Sequence, residues 1–157
     1  MKYVLGVDLG TSSVKVILVN SEGLVVAEDS QDYPLYQLKS GYSEQDPNDW
    51  VEKAIIAVNN IVTNDNIASD DILGMSFSGQ MHGLVLIDKQ GDPIRNAILW
   101  NDTRTTAQCE FLMDTIGTEL IQIAKNKALE GFTLPKILWV RENEKDLFSK
   151  TYKFLLP

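Results

Sequence analysis

Apolar and polar positions alternate in two runs near the start of the chain, Tyr3–Leu9 and Val14–Val19, both rich in β-branched residues. Such alternation predicts two strands, and the break between them, Gly10-Thr11-Ser12-Ser13, predicts a tight hairpin. A third strand-like run, Leu24–Ala27, follows the turn Asn20-Ser21-Glu22-Gly23. A loop from about Gln31 to Asp46 then leads into a helix. Asp46 suits its N-cap, Pro47 its first position and Asp49 the positive end of its dipole. Trp50, Ala54, Val58 and Ile61 recur at helical spacing, as do Val51, Ile55 and Val62, which predicts a broad buried face. The continuous apolar run Ile72–Ser78 predicts a buried strand, and Leu84–Ile87 another. A helix is expected over about Thr103–Ile116 with Ala107, Phe111 and Leu112 inward. A further one is expected over Thr133–Asn143, capped by the Thr133 hydroxyl with Pro135 in the first turn. Antiparallel strands followed by alternating helix and strand make an α/β fold with a mixed sheet flanked by helices.

Composition narrows the class. The 157 residues, 44% of them hydrophobic, suit a single domain with a core of its own. A formal net charge of −8 disfavours nucleic acid and anionic membranes as partners. The single cysteine, Cys109, excludes an internal disulfide and reads as a packed thiol in a reducing compartment. No leader segment and no membrane-length apolar run is visible, so a cytoplasmic protein is expected. Zinc-type spacing of Cys and His is lacking, and one histidine without a nucleophile elbow disfavours a Ser-His-Asp triad. Trp50 and Trp139 read as packed side chains, Tyr42–Asp46 as a solvated loop leading to the helix cap, and Glu142–Asp146 as a solvated helix end.

Chemistry concentrates at two breaks in the pattern. At the first, Gly10 lets the chain turn where a Cβ would clash, and Thr11, Ser12 and Ser13 add hydroxyls beside the N–H groups of the turn. That concavity suits a phosphate, although many Gly/Ser hairpins bind nothing. Asp8 stands at its mouth, placed to hold a hydrated Mg²⁺ against the same phosphates. A carboxylate on a buried strand needs compensation, which points to a metal or donor cluster nearby. At the second, Gly79-Gln80-Met81-His82-Gly83 lies between two apolar strands, where ligands commonly bind in α/β sheets. Met81 reads as core filler or as an apolar wall, and His82 as a loop residue or as a ligand contact. Downstream, Trp100 offers an apolar wall, and Asn101, Asp102 and Arg104 the hydrogen bonds a polyhydroxylated ligand needs.

Five motifs occur in order: Gly6-Val-Asp-Leu-Gly-Thr-Ser-Ser, Tyr42-Ser-Glu-Gln-Asp-Pro, Gly79-Gln-Met-His-Gly, Ala97-Ile-Leu-Trp-Asn-Asp-Thr-Arg and Gly131-Phe-Thr-Leu-Pro-Lys-Ile-Leu-Trp. Together they resemble the xylulokinases of the FGGY family of carbohydrate kinases, and the resemblance covers essentially the whole chain. Glycerol kinases of that family carry an Arg-Glu pair where Met81-His82 stand here. The resemblance implies a ribonuclease H-like, actin-like ATPase fold and ATP-dependent phosphorylation of D-xylulose on its 5-hydroxyl, with Mg²⁺. It implies that Asp8 organises the metal and that Gly10, Thr11, Ser12 and Ser13 hold ATP phosphates, with Lys15 close to them. It gives Gln80, Met81, His82, Trp100, Asn101, Asp102 and Arg104 to the sugar. Members of the family have two lobes, so residues 1–157 are expected to be the N-terminal portion of the first kinase domain. The nucleotide-binding lobe and the general-base Asp are not expected here, and the chain alone is expected to be inactive. A homodimer is open to it. A kinase of gluconate, ribulose or glycerol, a non-catalytic sugar-binding module and a ribonuclease H-type nuclease are the alternatives. The last needs clustered carboxylates, and only Asp8 lies on the early strands.

Overall fold

The computed structural model describes residues 1–64 and 67–157. The chain divides into two compact units, Met1–Pro34 with Asn48–Gln80, and Leu35–Pro47 with Met81–Pro157. In chain order the elements are β1 (Tyr3–Leu9), β2 (Ser13–Asn20), β3 (Val25–Asp32), β4 (Glu44–Gln45), α1 (Pro47–Asn64) and β5 (Ile72–Gly79). They continue with β6 (Val85–Ile87), β7 (Ala97–Ile98), α2 (Thr106–Ala124), α3 (Thr133–Asn143), α4 (Lys145–Lys150) and β8 (Lys153–Leu155).

The first unit holds a four-stranded mixed sheet in the order β3-β2-β1-β5. β1 runs antiparallel to β2, with Asp8 opposite Lys15, and β2 antiparallel to β3. β5 lies parallel to β1, with Ser78 opposite Asp8 and Gly79 opposite Leu9. The period-two pattern turns Leu5, Val7, Val14, Val16 and Leu18 inward, and each such side chain contributes about 1.5–3 kcal/mol on burial. β3 runs five residues past the expected Ala27, because its polar residues alternate with half-buried ones along the sheet edge.

Two expectations for this unit are corrected. The run in β5 suits a strand covered on both faces, yet β5 forms an edge and Leu73, Met75 and Phe77 are exposed, Phe77 to 73%. The buried face of α1 is narrower than its periodicity suggests. Trp50, Ala57 and Ile61 are buried, whereas Val51 and Ile55 are exposed.

In the second unit β4 pairs with β7 and β6 with β8, both antiparallel. Its core is Leu84, Leu86, Ile98 and Val140, with Ile94, Ile137, Trp139 and Phe148 packed around them. Tyr42–Asp46 is not the solvated loop expected: β4 falls within it, and Ser43 and Gln45 are buried. α2 passes the expected end at Ile116, whose backbone leaves helical values (φ −133°), and continues to Ala124. Gln108, Cys109 and Leu112 face inward, while Phe111 and Ala107 are exposed, which shifts the expected face by one position. α3 has the expected bounds, but Thr133 does not cap it: Phe132 occupies that position and makes no side-chain bond to the helix. The acidic stretch Glu142–Asp146, at the end of α3 and beyond, is also less free than expected, since Gln108 donates to Glu142 and Arg95 pairs with Glu144. No helix among the described residues is long and apolar enough to cross a membrane.

Candidate functional site

In the first unit the candidate residues gather at the β1–β2 hairpin. Gly10 N–H donates to the Ser13 carbonyl at 2.9 Å, and a Cβ on Gly10 would lie 2.9 Å from that same oxygen. Close backbone approach therefore requires glycine here, as the sequence suggests. Tyr33, which no sequence signal marks, holds the hairpin from behind. Its hydroxyl donates to the Gly10 carbonyl and its N–H to the Ser12 carbonyl at 3.3 Å. Burial, helped by the nearby Asp8 charge, pushes the Tyr33 phenol up to about 12, so it stays a protonated donor.

Asp8 does not lie on a buried face. It is exposed, because the alternation that turns Leu5 and Val7 inward turns Asp8 out. An exposed carboxylate needs no buried partner, so its position alone does not call for a metal or donor cluster. Gly6, Val7, Asp8, Lys15, Ile17, Ser76, Phe77 and Ser78 line an open cavity of about 310 Å³ on the sheet. Lys15 is paired with Glu28 at 2.8 Å, both half-exposed, and so weakly that a phosphate could displace the carboxylate. At the far end of β5, a Cβ on Gly79 would lie 2.8 Å from Leu9 Cβ, and Gln80 N–H donates to the Leu9 carbonyl at 2.7 Å. The absence of a side chain at Gly79 lets the two strand ends close on each other.

The second unit holds the Met81-His82 loop. Met81 is 67% exposed, and His82 is exposed with its backbone in the left-handed region at φ 64°. That conformation costs a non-glycine residue on the order of 1–3 kcal/mol unless its surroundings hold it. They do: Thr133 Oγ1 donates to the His82 carbonyl at 3.1 Å and Lys136 Nζ at 3.2 Å. The imidazole meets the Phe132 ring edge-on, centroids 4.8 Å apart. Trp100 is half-exposed, and Asn101 lines an open polar cavity of about 300 Å³ with Gln37, Lys39, Tyr42 and Ser43.

The side chain of Asp102 presents no free surface and that of Arg104 almost none. Asp102 is fully buried, its Oδ1 accepting from Arg104 N–H at 3.0 Å and Nε at 2.9 Å. Its Oδ2 accepts from Ser43 N–H at 2.7 Å and Arg104 Nη2 at 2.6 Å. Arg104 also pairs with Glu44 at 2.7 Å, and Arg95 joins Glu44 to Glu144. The Arg104 guanidinium lies 3.7 Å from the Tyr42 ring centroid and 4.8 Å from that of Trp139. Desolvation pulls its pKa down, but the bonds to Asp102 and Glu44 outweigh this and raise it. This pair, expected at the sugar, is consumed in an internal network that fixes the segment carrying Trp100 and Asn101. Cys109 is buried, and desolvation pushes its thiol up, in keeping with a packed side chain.

A hydrated Mg²⁺ fits the donors at Asp8. That ion commonly takes one or two carboxylates plus phosphate oxygens and keeps several waters, and Asp8 is an exposed carboxylate beside a cavity. A carboxylate-rich two-metal site does not fit: no group of three His, Cys, Asp or Glu able to hold a metal occurs among the described residues.

The N-terminal domain of the FGGY family of carbohydrate kinases matches residues 3–157. The xylulose kinase of Bacillus subtilis (strain 168) is 59% identical over 157 residues, covering 100% of this chain. Among solved structures, a xyloylose kinase from Brucella ovis is 36% identical over 98% of this chain with a TM-score of 0.92. The xylulose kinase from Rhodospirillum rubrum is 25% identical over 98%, with a TM-score of 0.90. This chain spans about a third of each: 32% of the Bacillus protein, 32% of the Brucella chain and 32% of the Rhodospirillum chain. The fold is the expected actin-like, ribonuclease H-like α/β arrangement with a mixed sheet.

Proposed function

Because the chain belongs to the FGGY family of carbohydrate kinases, we propose that it is the front of an ATP-dependent kinase that transfers a phosphoryl group to the 5-hydroxyl of D-xylulose. The observation that carries this reading is the Met81-His82 loop, an exposed imidazole and thioether on a backbone held from two sides. The name of the Bacillus subtilis relative supports xylulose as the sugar.

The residues divide the work. His82 hydrogen-bonds a ketose hydroxyl, Met81 and Trp100 supply apolar walls, and Gln80 and Asn101 add polar contacts. Asp102 and Arg104 act on the sugar indirectly, through the segment they hold. Hydroxyls of Thr11, Ser12 and Ser13, with the backbone at Gly10, receive ATP phosphates, and Lys15 exchanges Glu28 for a phosphate. Asp8 holds the hydrated Mg²⁺, which when bound offsets charge on the transferring phosphoryl group. The base that takes the proton of the attacking hydroxyl is assigned to no residue of this chain. An acidic protein with one buried thiol suits the cytoplasm, where ATP is available.

A substrate panel tests the reading. With the protein extended to the full length of its relatives, ADP release should show a higher kcat/KM for D-xylulose than for D-ribulose, gluconate or glycerol. Preference for any of the other three would refute the assignment of the sugar.

A further inference from the structure

We propose that Lys136 is a positioning residue for the sugar site, its buried ammonium fixing the orientation of His82 through the main chain. The proposal rests on the sugar-side role of His82 given above.

Lys136 is fully buried, 0% exposed, and no carboxylate lies within ion-pair distance of it among the described residues. Its Nζ donates to three main-chain carbonyls, those of His82 at 3.2 Å, Phe132 at 3.2 Å and Gly131. Packing alone does not explain this choice. Burying an ammonium is costly, and an apolar side chain of similar length fills the same volume without that cost. The residue also sits in the first turn of α3, where the helix dipole disfavours a cation. A cation kept against both penalties has a use for its charge, and the three carbonyls identify that use.

Those carbonyls belong to the two segments that frame the imidazole. One is the carbonyl of His82 itself, in the left-handed region, which also accepts from Thr133 Oγ1. Another is the carbonyl of Phe132, whose ring meets the imidazole edge-on. The third belongs to Gly131, which packs so tightly on the Trp100 carbonyl that a Cβ there would lie 2.9 Å from its oxygen. One ammonium thus ties together the His82 loop, its aromatic neighbour and the segment of Trp100. Burial, reinforced by the Arg104 charge, pulls Lys136 down to about 8, while the nearby Asp102 carboxylate opposes the loss of its proton. It is charged at neutral pH.

His82 is the one histidine of the chain, so its imidazole Cε1–H gives a single resolvable NMR signal. In the 157-residue protein this signal should be displaced by the Phe132 ring current. Lys136→Met should lose most of that displacement, and Thr133→Val part of it in the same direction, while the Trp50 indole signal stays in place. A folded Lys136→Met protein with the His82 signal unmoved would overturn the proposal. If Lys136→Met fails to fold, Thr133→Val decides alone, and an unmoved signal there overturns it equally. Kinetics on the full-length protein keep the two readings apart. Lys136→Met should raise the xylulose KM and leave that for ATP unchanged. A xylulose KM indifferent to His82→Ala would sink the sugar reading while leaving the NMR displacement standing.

Discussion

The hydroxyl of Tyr33 donates to the carbonyl of Gly10, 23 positions earlier, and so braces the β1–β2 hairpin from the end of β3. The burial that makes this bond useful also raises the Tyr33 phenol from 10.0 to about 12. As pH rises past 10 the unfolded chain releases the proton first, so it binds fewer protons than the native state and stability falls. The contribution is complete below about pH 10 and is lost as pH climbs through about 12. Thermal melts at pH 8 to 12 check this by comparison with Tyr33→Phe. The variant should be less stable by about 1 kcal/mol at neutral pH and should show a shallower alkaline decline. Parallel declines in the two proteins would mean that Tyr33 titrates normally.

The Asp102–Arg104 pair should behave as framework. Removing one partner leaves the other charge buried, at a cost of about 3–5 kcal/mol. Asp102→Ala and Arg104→Ala should therefore each lower the denaturation midpoint sharply. Small losses of stability coupled to a large rise in the xylulose KM would instead return both residues to direct sugar contact.

Asp8 should behave in the opposite way. Since it is exposed, Asp8→Asn should leave the melting temperature nearly unchanged. In the full-length protein it should lower kcat by about 10²-fold or more, the scale on which a lost electrostatic contact to a transition state is felt. Near-normal turnover at saturating Mg²⁺ would reassign Asp8 as a surface residue.

What was legible in the sequence was local. The alternation over Tyr3–Leu9 and Val14–Val19, and the glycine between them, announces the hairpin, because side-chain period and turn chemistry act over a few residues. The start of α1 at Pro47 with Asp49 in its first turn, and the bounds of α3, are legible for the same reason. What was missed depends on partners far along the chain. Asp102 and Arg104 look like ligand contacts until Glu44 and the rings of Tyr42 and Trp139 close around them. No spacing rule singles out Lys136, whose ammonium meets the His82 carbonyl 54 positions away. In β5 the error ran the other way. Continuous apolar residues predict a strand covered on both faces, but a strand's place in the sheet is not written in its own residues. A signal for Tyr33 was absent altogether, since a phenol beside a turn carries no spacing rule.

The division of labour between the His82 loop and the hairpin is tested most directly by the two Michaelis constants of His82→Ala in the full-length protein. A hydrogen bond lost to a buried sugar hydroxyl costs about 1–3 kcal/mol, so the xylulose KM should rise by roughly five- to a hundredfold. The ATP KM should stay within about twofold of the unmodified enzyme, because the nucleotide phosphates are assigned to Gly10–Ser13 and Asp8. Equal increases in both constants, or a change confined to ATP, would contradict the account.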